Sequence, residues 1–191
     1  MITVDKPNKA ELAWNDAVQT LHGATRRTEI TLAEVPAPSR LAPYSLALSG
    51  VLAVDSDNEL ASGKFVLLHD PDGQPTWESN YRVVTFVNAE IEPDVVTDEM
   101  FDEVAWSWLI EALALSEAEF TNLSGTVTRT VSRSFAGLAD RQRETELEIR
   151  ASWSPSTSEL AAHLTAWCLL LEQASGLEPL PEGVTQINRN K

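Results

Sequence analysis

The sequence predicts an α+β fold, a mainly antiparallel sheet with amphipathic helices packed on it in the order α-ββββ-α-ββ-α. Two kinds of periodicity carry that expectation. Alternation of apolar and polar residues, the mark of a strand with one face buried, recurs between residues 29 and 91 and again between 126 and 153. Apolar residues at three- and four-residue spacing open the chain, separate the two strand groups and close it. Strands that come in runs, with a helix between runs, pair antiparallel more readily than they form βαβ crossovers.

Asn8 followed by Glu11 reads as a helix start, and Ala10, Trp14, Ala17, Val18 and Leu21 then lie on one face up to His22 and Gly23. Glu29 to Val35 reads as a strand. The PAPSRLAP segment after it has three prolines, which cannot donate to a central ladder and mark a loop or sheet edge. Tyr44 to Asp55 alternates, with Leu46, Leu48, Leu52 and Val54 on one side and Ser45, Ala47, Ser49 and Ala53 on the other. Lys64 to His69 and Tyr81 to Ile91 are rich in Val and Phe, and a Pro-Asp-Gly turn at Pro71 to Gly73 joins them into a meander.

Thr97 reads as an N-cap with Asp98 and Glu99 in the first helical turn, where the helix dipole favours negative charge. The helix runs to Leu115 with two apolar sectors. Phe101, Val104, Ala105, Trp108, Ala112 and Leu115 form the broader one, Trp106, Ile110 and Leu113 the other, and Glu103, Ser107 and Glu111 leave a narrow polar strip. Such a helix is either sandwiched within its domain or buries its second face on another chain. Thr126 to Phe135 and Glu144 to Trp153 are a second strand pair. Ser156 and Glu159 make a capping box for a last helix with the stripe Leu160, Leu164, Trp167, Cys168 and Leu171, ended by Gly176. From about residue 177 an extended tail is expected, and residues 1–191 read as a single domain.

Composition bounds the function. A net charge of −15 repels a phosphate backbone and anionic lipid, so neither nucleic acid nor membrane is an expected partner, whereas a basic protein is. Six tryptophans argue for a packed chain rather than an acidic disordered one. The lone cysteine, Cys168, excludes an internal disulfide, the start MITVDKPNKAELAW lacks a signal-peptide core, and no apolar run reaches the ~18 residues of a spanning helix. A cytoplasmic location is expected.

The segment KFVLLHDPDGQPTWESNYRVVTFVNAEIEPD, followed by WSWL at 106 to 109, GTVTRTVSRSFAGLAD at 125 to 140, EIRASW at 148 to 153 and LPEGV at 180 to 184, resembles the actinobacterial family catalogued as domain of unknown function 3000. The resemblance implies no activity and transfers no catalytic or ligand residue. The element order is also similar to the small fold of type III secretion chaperones, a likeness of architecture alone.

Charge layout singles out one candidate surface. Between Arg82 and Arg129 there is no basic residue, while Glu90, Glu92, Asp94, Asp98, Glu99, Asp102 and Glu103 crowd one stretch. Asp98, Glu99, Asp102 and Glu103, with Trp106 and Ile110, are the candidate docking residues for a basic protein partner. The alternative is a set of solvated carboxylates and internal ion pairs. Arg129 and Arg133 share strand parity with Val127, Val131 and Phe135 and are the candidates for an anionic metabolite; pairing with Glu146 or Glu148 across strands uses the same groups without a ligand.

Metal and covalent chemistry find no pattern. Asp55, Asp57 and Glu59 imitate a calcium loop, but Leu60 replaces its glycine and Val66 its closing glutamate. His69, Asp70 and Asp72 flank a turn, and His22 and His163 lack ligand spacing. Neither GxSxG nor a glycine-rich nucleotide loop occurs, and Cys168 lies on an apolar stripe. The expectation is a non-enzymatic binding or adaptor/chaperone-like domain, with no cofactor and no catalytic residue nominated; the alternative is a binder of a small anionic metabolite, or an enzyme acting on one, through Arg129 and Arg133.

Overall fold

The computed structural model describes residues 8–55, 58–92, 98–140 and 144–177. Helix α1 spans Lys9–Thr20, and a 3₁₀ turn, Leu21–Gly23, carries it on to the first strand. Four strands follow, β1 (Ile30–Val35), β2 (Tyr44–Asp55), β3 (Asn58–Gln74) and β4 (Ser79–Glu90). Helix α2 (Phe101–Leu115), strands β5 (Phe120–Ser132) and β6 (Glu144–Pro155) and helix α3 (Ala161–Ala174) complete the expected order. The strands form one antiparallel sheet in the order β1-β2-β3-β4-β6-β5, so β6 inserts between β4 and the edge strand β5.

Alternation decides which side of the sheet each residue serves. Leu52, Ala61, Phe65, Leu67, Val83, Val87, Leu147, Ile149 and Trp153 are buried on the side that carries the helices. The core lies there, closed by Leu109 and Leu113 of α2 and Leu164, Trp167, Leu170 and Leu171 of α3. Trp167 fits only because β2 and β3 place two glycines side by side beneath it. Gly50 pairs with Gly63, and a Cβ on Gly50 would stand 2.6 Å from Trp167 Cη2.

Several boundaries differ from the sequence reading, each for a physical reason. The turn between β3 and β4 is at residues 75–78, not at Pro71 to Gly73. Pairing runs from His69↔Tyr81 directly to Gln74↔Ser79, so residues 70–73 arch opposite Asn80 alone. The turn-forming residues make that arch. Asp70 Oδ1 accepts from the Asp72 N–H (3.2 Å), the Asn80 side-chain amide donates to the Pro71 carbonyl (2.8 Å), and Gly73 takes φ +73°.

Strand β5 begins at Phe120, ahead of the expected Thr126, with an irregularity between Thr121 and Ser124 where Asn122 adopts a left-handed φ of 53°. It ends at Ser132, so Arg133 and Phe135 lie beyond it. Helix α2 starts at Phe101. Thr97 falls outside the described residues, and Asp98 precedes the helix, its Oδ1 accepting from the Met100 N–H at 2.8 Å. Asp102 and Glu103 are therefore the acids of the first turn.

The inward face of α2 is Phe101, Ala105, Leu109, Ala112 and Leu113. Leu109 belongs to neither expected sector yet is fully buried, whereas Val104 and Leu115, expected inside, are exposed. Helix α3 does not use Ser156 and Glu159 as a capping box. The Leu160 N–H before its first residue donates instead to Thr20 Oγ1 of α1, at 2.8 Å. Asn8 does cap α1, accepting from the Glu11 N–H at 2.8 Å, and Gly176, with φ +71°, follows the end of α3. The expected tail lies outside the described residues. No described helix is long and apolar enough to cross a membrane.

Candidate functional site

Two surfaces combine chemistry with exposure, the outer side of α2 and the helix-free face of the sheet. On α2 the inward residues are at 101, 105, 109, 112 and 113, so the opposite side of the helix, through 103, 104, 110, 111 and 115, faces outward. Met100 (59% exposed), Val104 (44%), Ile110 (40%) and Leu115 (73%) are displayed on this helix and its leading turn beside the exposed Glu103 and Glu111. Four large apolar side chains on one short element make a surface that water covers at a cost.

Of the six predicted docking residues, Asp98, Glu99, Glu103 and Ile110 are exposed here. Asp102 is engaged internally. Arg129 Nε lies 2.7 Å from its Oδ1 and Nη2 donates to Oδ2 at 3.0 Å, while Nη1 donates to the Asp98 carbonyl at 3.0 Å. The guanidinium also sits over the Phe101 ring, 5.7 Å from its centroid. Trp106 is half-buried, its indole over Gly125 of β5, where a Cβ would meet Trp106 Cζ3 at 2.7 Å. The sequence thus places Trp106 on the sheet edge, and glycine at 125 is what lets it approach.

Arg129 and Arg133 do not converge. Arg129 is opposite Leu147, so it points to the helix side, while Glu146 and Glu148 point to the other. The pairing proposed for it across the strands is sterically excluded by parity. Glu148 pairs with Arg150 instead, at 2.8 Å. Arg133, past the end of β5, stacks over Phe135 at 5.6 Å.

The helix-free face carries a site that the sequence reading did not single out. Register places Lys64, Phe86, Arg150 and Thr126 in one row across β3, β4, β6 and β5, and Val66, Val84, Ser152 and Ser124 in the next. These two rows line an open concavity of about 410 Å³. Arg82 stands one step further along β4, opposite Leu68, and is buried. Its Nη1 donates to the Asn122 carbonyl (2.8 Å) and Ser154 Oγ (3.0 Å), and its Nη2 to Ser152 Oγ (2.6 Å). All three acceptors are neutral, and among the described residues no carboxylate lies within ion-pair distance of it. Burial lowers its affinity for the proton it carries.

A family model, Protein of unknown function (DUF3000), matches residues 10–185. The chain belongs to this family. Curated proteins give no match, and neither do solved structures. The family assignment bears on fold and kinship and carries no reaction, so the chemistry of this DUF3000 chain has to be read from its own side chains.

Its buried titratable groups are arranged for packing. His163 is buried and accepts from Trp153 Nε1–H through Nδ1 at 3.0 Å, and desolvation holds its pKa at about 4. His69 stacks on Tyr81 at 4.4 Å with Nδ1 3.0 Å from the Asn80 carbonyl, and burial lowers its pKa as well. Burial pushes the Cys168 thiol up to about 12, which leaves it without thiolate at neutral pH. Among the described residues of this DUF3000 chain no three His, Cys, Asp or Glu side chains come together as a metal would require. Asp55 closes the β2–β3 hairpin opposite Asn58, and Asp57 lies outside the described residues.

Proposed function

We propose that this protein is a non-enzymatic protein-binding domain, adaptor or chaperone-like in role, acting in an actinobacterial cytoplasm and receiving a basic amphipathic segment of a partner on the outer side of α2. The supporting observation is the exposure of Met100, Val104, Ile110 and Leu115 among Glu103 and Glu111. Apolar side chains supply the burial that drives association, and carboxylates around them favour a lysine- or arginine-bearing partner and raise the encounter rate. Arg129 contributes indirectly, because its bonds to Asp102 and to the Asp98 carbonyl fix the leading end of the helix on the sheet. A rigid acidic helix loses little entropy on binding.

The test is affinity purification from native cytosol at low and moderate salt, with Ile110→Asp plus Leu115→Asp, and Glu103→Lys plus Glu111→Lys, beside the unaltered chain. The expected result is a stoichiometric partner that both double variants lose while their circular dichroism is unchanged, and that weakens as ionic strength shortens the Debye length from roughly 30 Å to 8 Å. A partner retained by both folded variants places the binding surface elsewhere.

A further inference from the structure

We propose that the helix-free face of the sheet binds a small amphipathic anion, a carboxylate joined to a hydrocarbon chain of the fatty-acid type, with the chain on Val66, Val84 and Phe86, the carboxylate at Ser152 and Ser124, and Lys64 adding positive charge across the floor. This site is independent of the α2 surface and lies on the opposite side of the sheet.

Three observations select the ligand. The floor is apolar: Val66 and Val84 are paired neighbours, and Phe86 is one step along β4. The rim carries positive charge in a chain of net charge −15: Lys64 and Arg150 flank Phe86 in one row, Arg150 being paired with Glu148 and Lys64 having no ion pair among the described residues, and no described carboxylate lines the concavity. A nucleus for the anion is already built. Arg82 is a buried guanidinium whose acceptors are all neutral, and a buried cation that has no counter-ion among the described residues is costly. Its bond occupies a lone pair of Ser152 Oγ and turns the hydroxyl proton away from Arg82. Ser124 Oγ is 3.4 Å from Ser152 Oγ, so when Ser152 donates to Ser124 the polarisation passes along the pair and the Ser124 hydroxyl is left to donate at the concavity. An anion there accepts from the serine pair, is attracted by the Lys64 charge across the floor, and offsets the charge of Arg82 across one side chain. The volume falls within the range of small-ligand sites, about 300–1,000 Å³.

The chemistry excludes neighbours of the same size. An alkylammonium would meet Lys64 and Arg82 with like charge, and acetate would lack the hydrocarbon that fills the floor. The probe is octanoate below its micelle concentration, titrated into ¹⁵N-labelled full-length protein, with octylammonium and acetate in parallel. Saturable amide shifts centred on residues 64–66, 84–86 and 150–152 are expected with octanoate alone. Ser152→Ala, Lys64→Glu and Val84→Asp, each checked for an unchanged spectrum elsewhere, are expected to weaken octanoate by roughly tenfold, the equivalent of one lost charge-assisted bond or one apolar contact. Arg82→Met serves as a further variant where it folds. Equal shifts with octanoate and octylammonium would overturn the proposal, as would octanoate affinity untouched by Ser152→Ala and Lys64→Glu. So would a dimer that Val84→Asp dissociates without any octanoate response, which assigns the face to a second copy of the chain.

Discussion

Arg129 of the edge strand holds Asp102 of α2 in a two-point ion pair, Nε to Oδ1 at 2.7 Å and Nη2 to Oδ2 at 3.0 Å. Nη2 donates a hydrogen bond to Oδ2 while Nε approaches Oδ1 as an ion-pair contact, and the Phe101 ring beneath the guanidinium limits its freedom. Both partners keep some contact with water, so the pair is worth less than a dry one. Arg129→Met and Asp102→Asn are each expected to cost about 1–2 kcal/mol in urea denaturation, and the double variant to show a coupling of about 1 kcal/mol. A coupling near zero would mean that the helix holds its place by apolar packing alone.

Thr20 ends one helix and begins another. Its hydroxyl donates to the Ala17 carbonyl at 2.7 Å and accepts at 2.8 Å from the N–H of Leu160, the residue that leads into α3, so the far end of the chain anchors the start of that helix. Thr20→Val keeps the shape and removes both bonds, with an expected loss of about 1 kcal/mol. Ser156→Ala is expected to change stability by less than about 0.5 kcal/mol, because no helix bond depends on it. Equal losses at the two positions would restore the local capping box.

These two contacts show where sequence reading succeeds and where it stops. Period two placed Leu46, Leu48 and Leu52 on one side of β2 and Leu147, Ile149 and Trp153 on one side of β6, because a strand fixes its faces by itself. It also placed Arg129 correctly among Val127 and Val131. What it could not supply was the partner, since Asp102 and Glu148 lie on different sides and only the sheet order shows which Arg129 meets. Leu109 was missed on α2 because a helix apolar almost all round has no single stripe to follow. Arg82 was missed for a deeper reason. Its acceptors are 40, 70 and 72 residues away in sequence, so nothing local marks it as buried or as bonded to neutral acceptors. An arginine between Tyr81 and Val83 in a strand rich in valine was the available signal.

Gly50 and Gly137 give a paired test of backbone space. A Cβ at Gly50 meets Trp167 Cη2 at 2.6 Å and Cζ3 at 3.0 Å, and the fully buried indole has little room to withdraw. At Gly137 nothing lies within 4 Å. Gly50→Ala is expected to lower stability by about 1–3 kcal/mol through overpacking, with Gly137→Ala near neutral. Matching urea midpoints for the two variants would contradict the seat described for Trp167.

His163 gives the fold an acid-sensitive point. Its Nδ1 accepts from the Trp153 indole at 3.0 Å, so the neutral ring carries its proton on Nε2, and a second proton would set two donors against each other. Desolvation holds the folded pKa at about 4, against 6.5 for the free side chain. Above pH 6.5 both folded and unfolded rings are neutral and the group has no effect on pH dependence. As pH falls from 6.5 towards 4 the unfolded chain takes up the proton and the folded chain does not, so stability falls, and below 4 the loss levels off. The gap corresponds to a loss of about 3 kcal/mol. His69, whose pKa is also lowered, adds a change of the same sign. His163→Gln retains a neutral acceptor for Trp153 and cannot titrate. Its stability measured at pH 7 and pH 4.5 is expected to fall less than that of the unaltered chain, and an identical fall in the two would show that His163 is protonated within the fold.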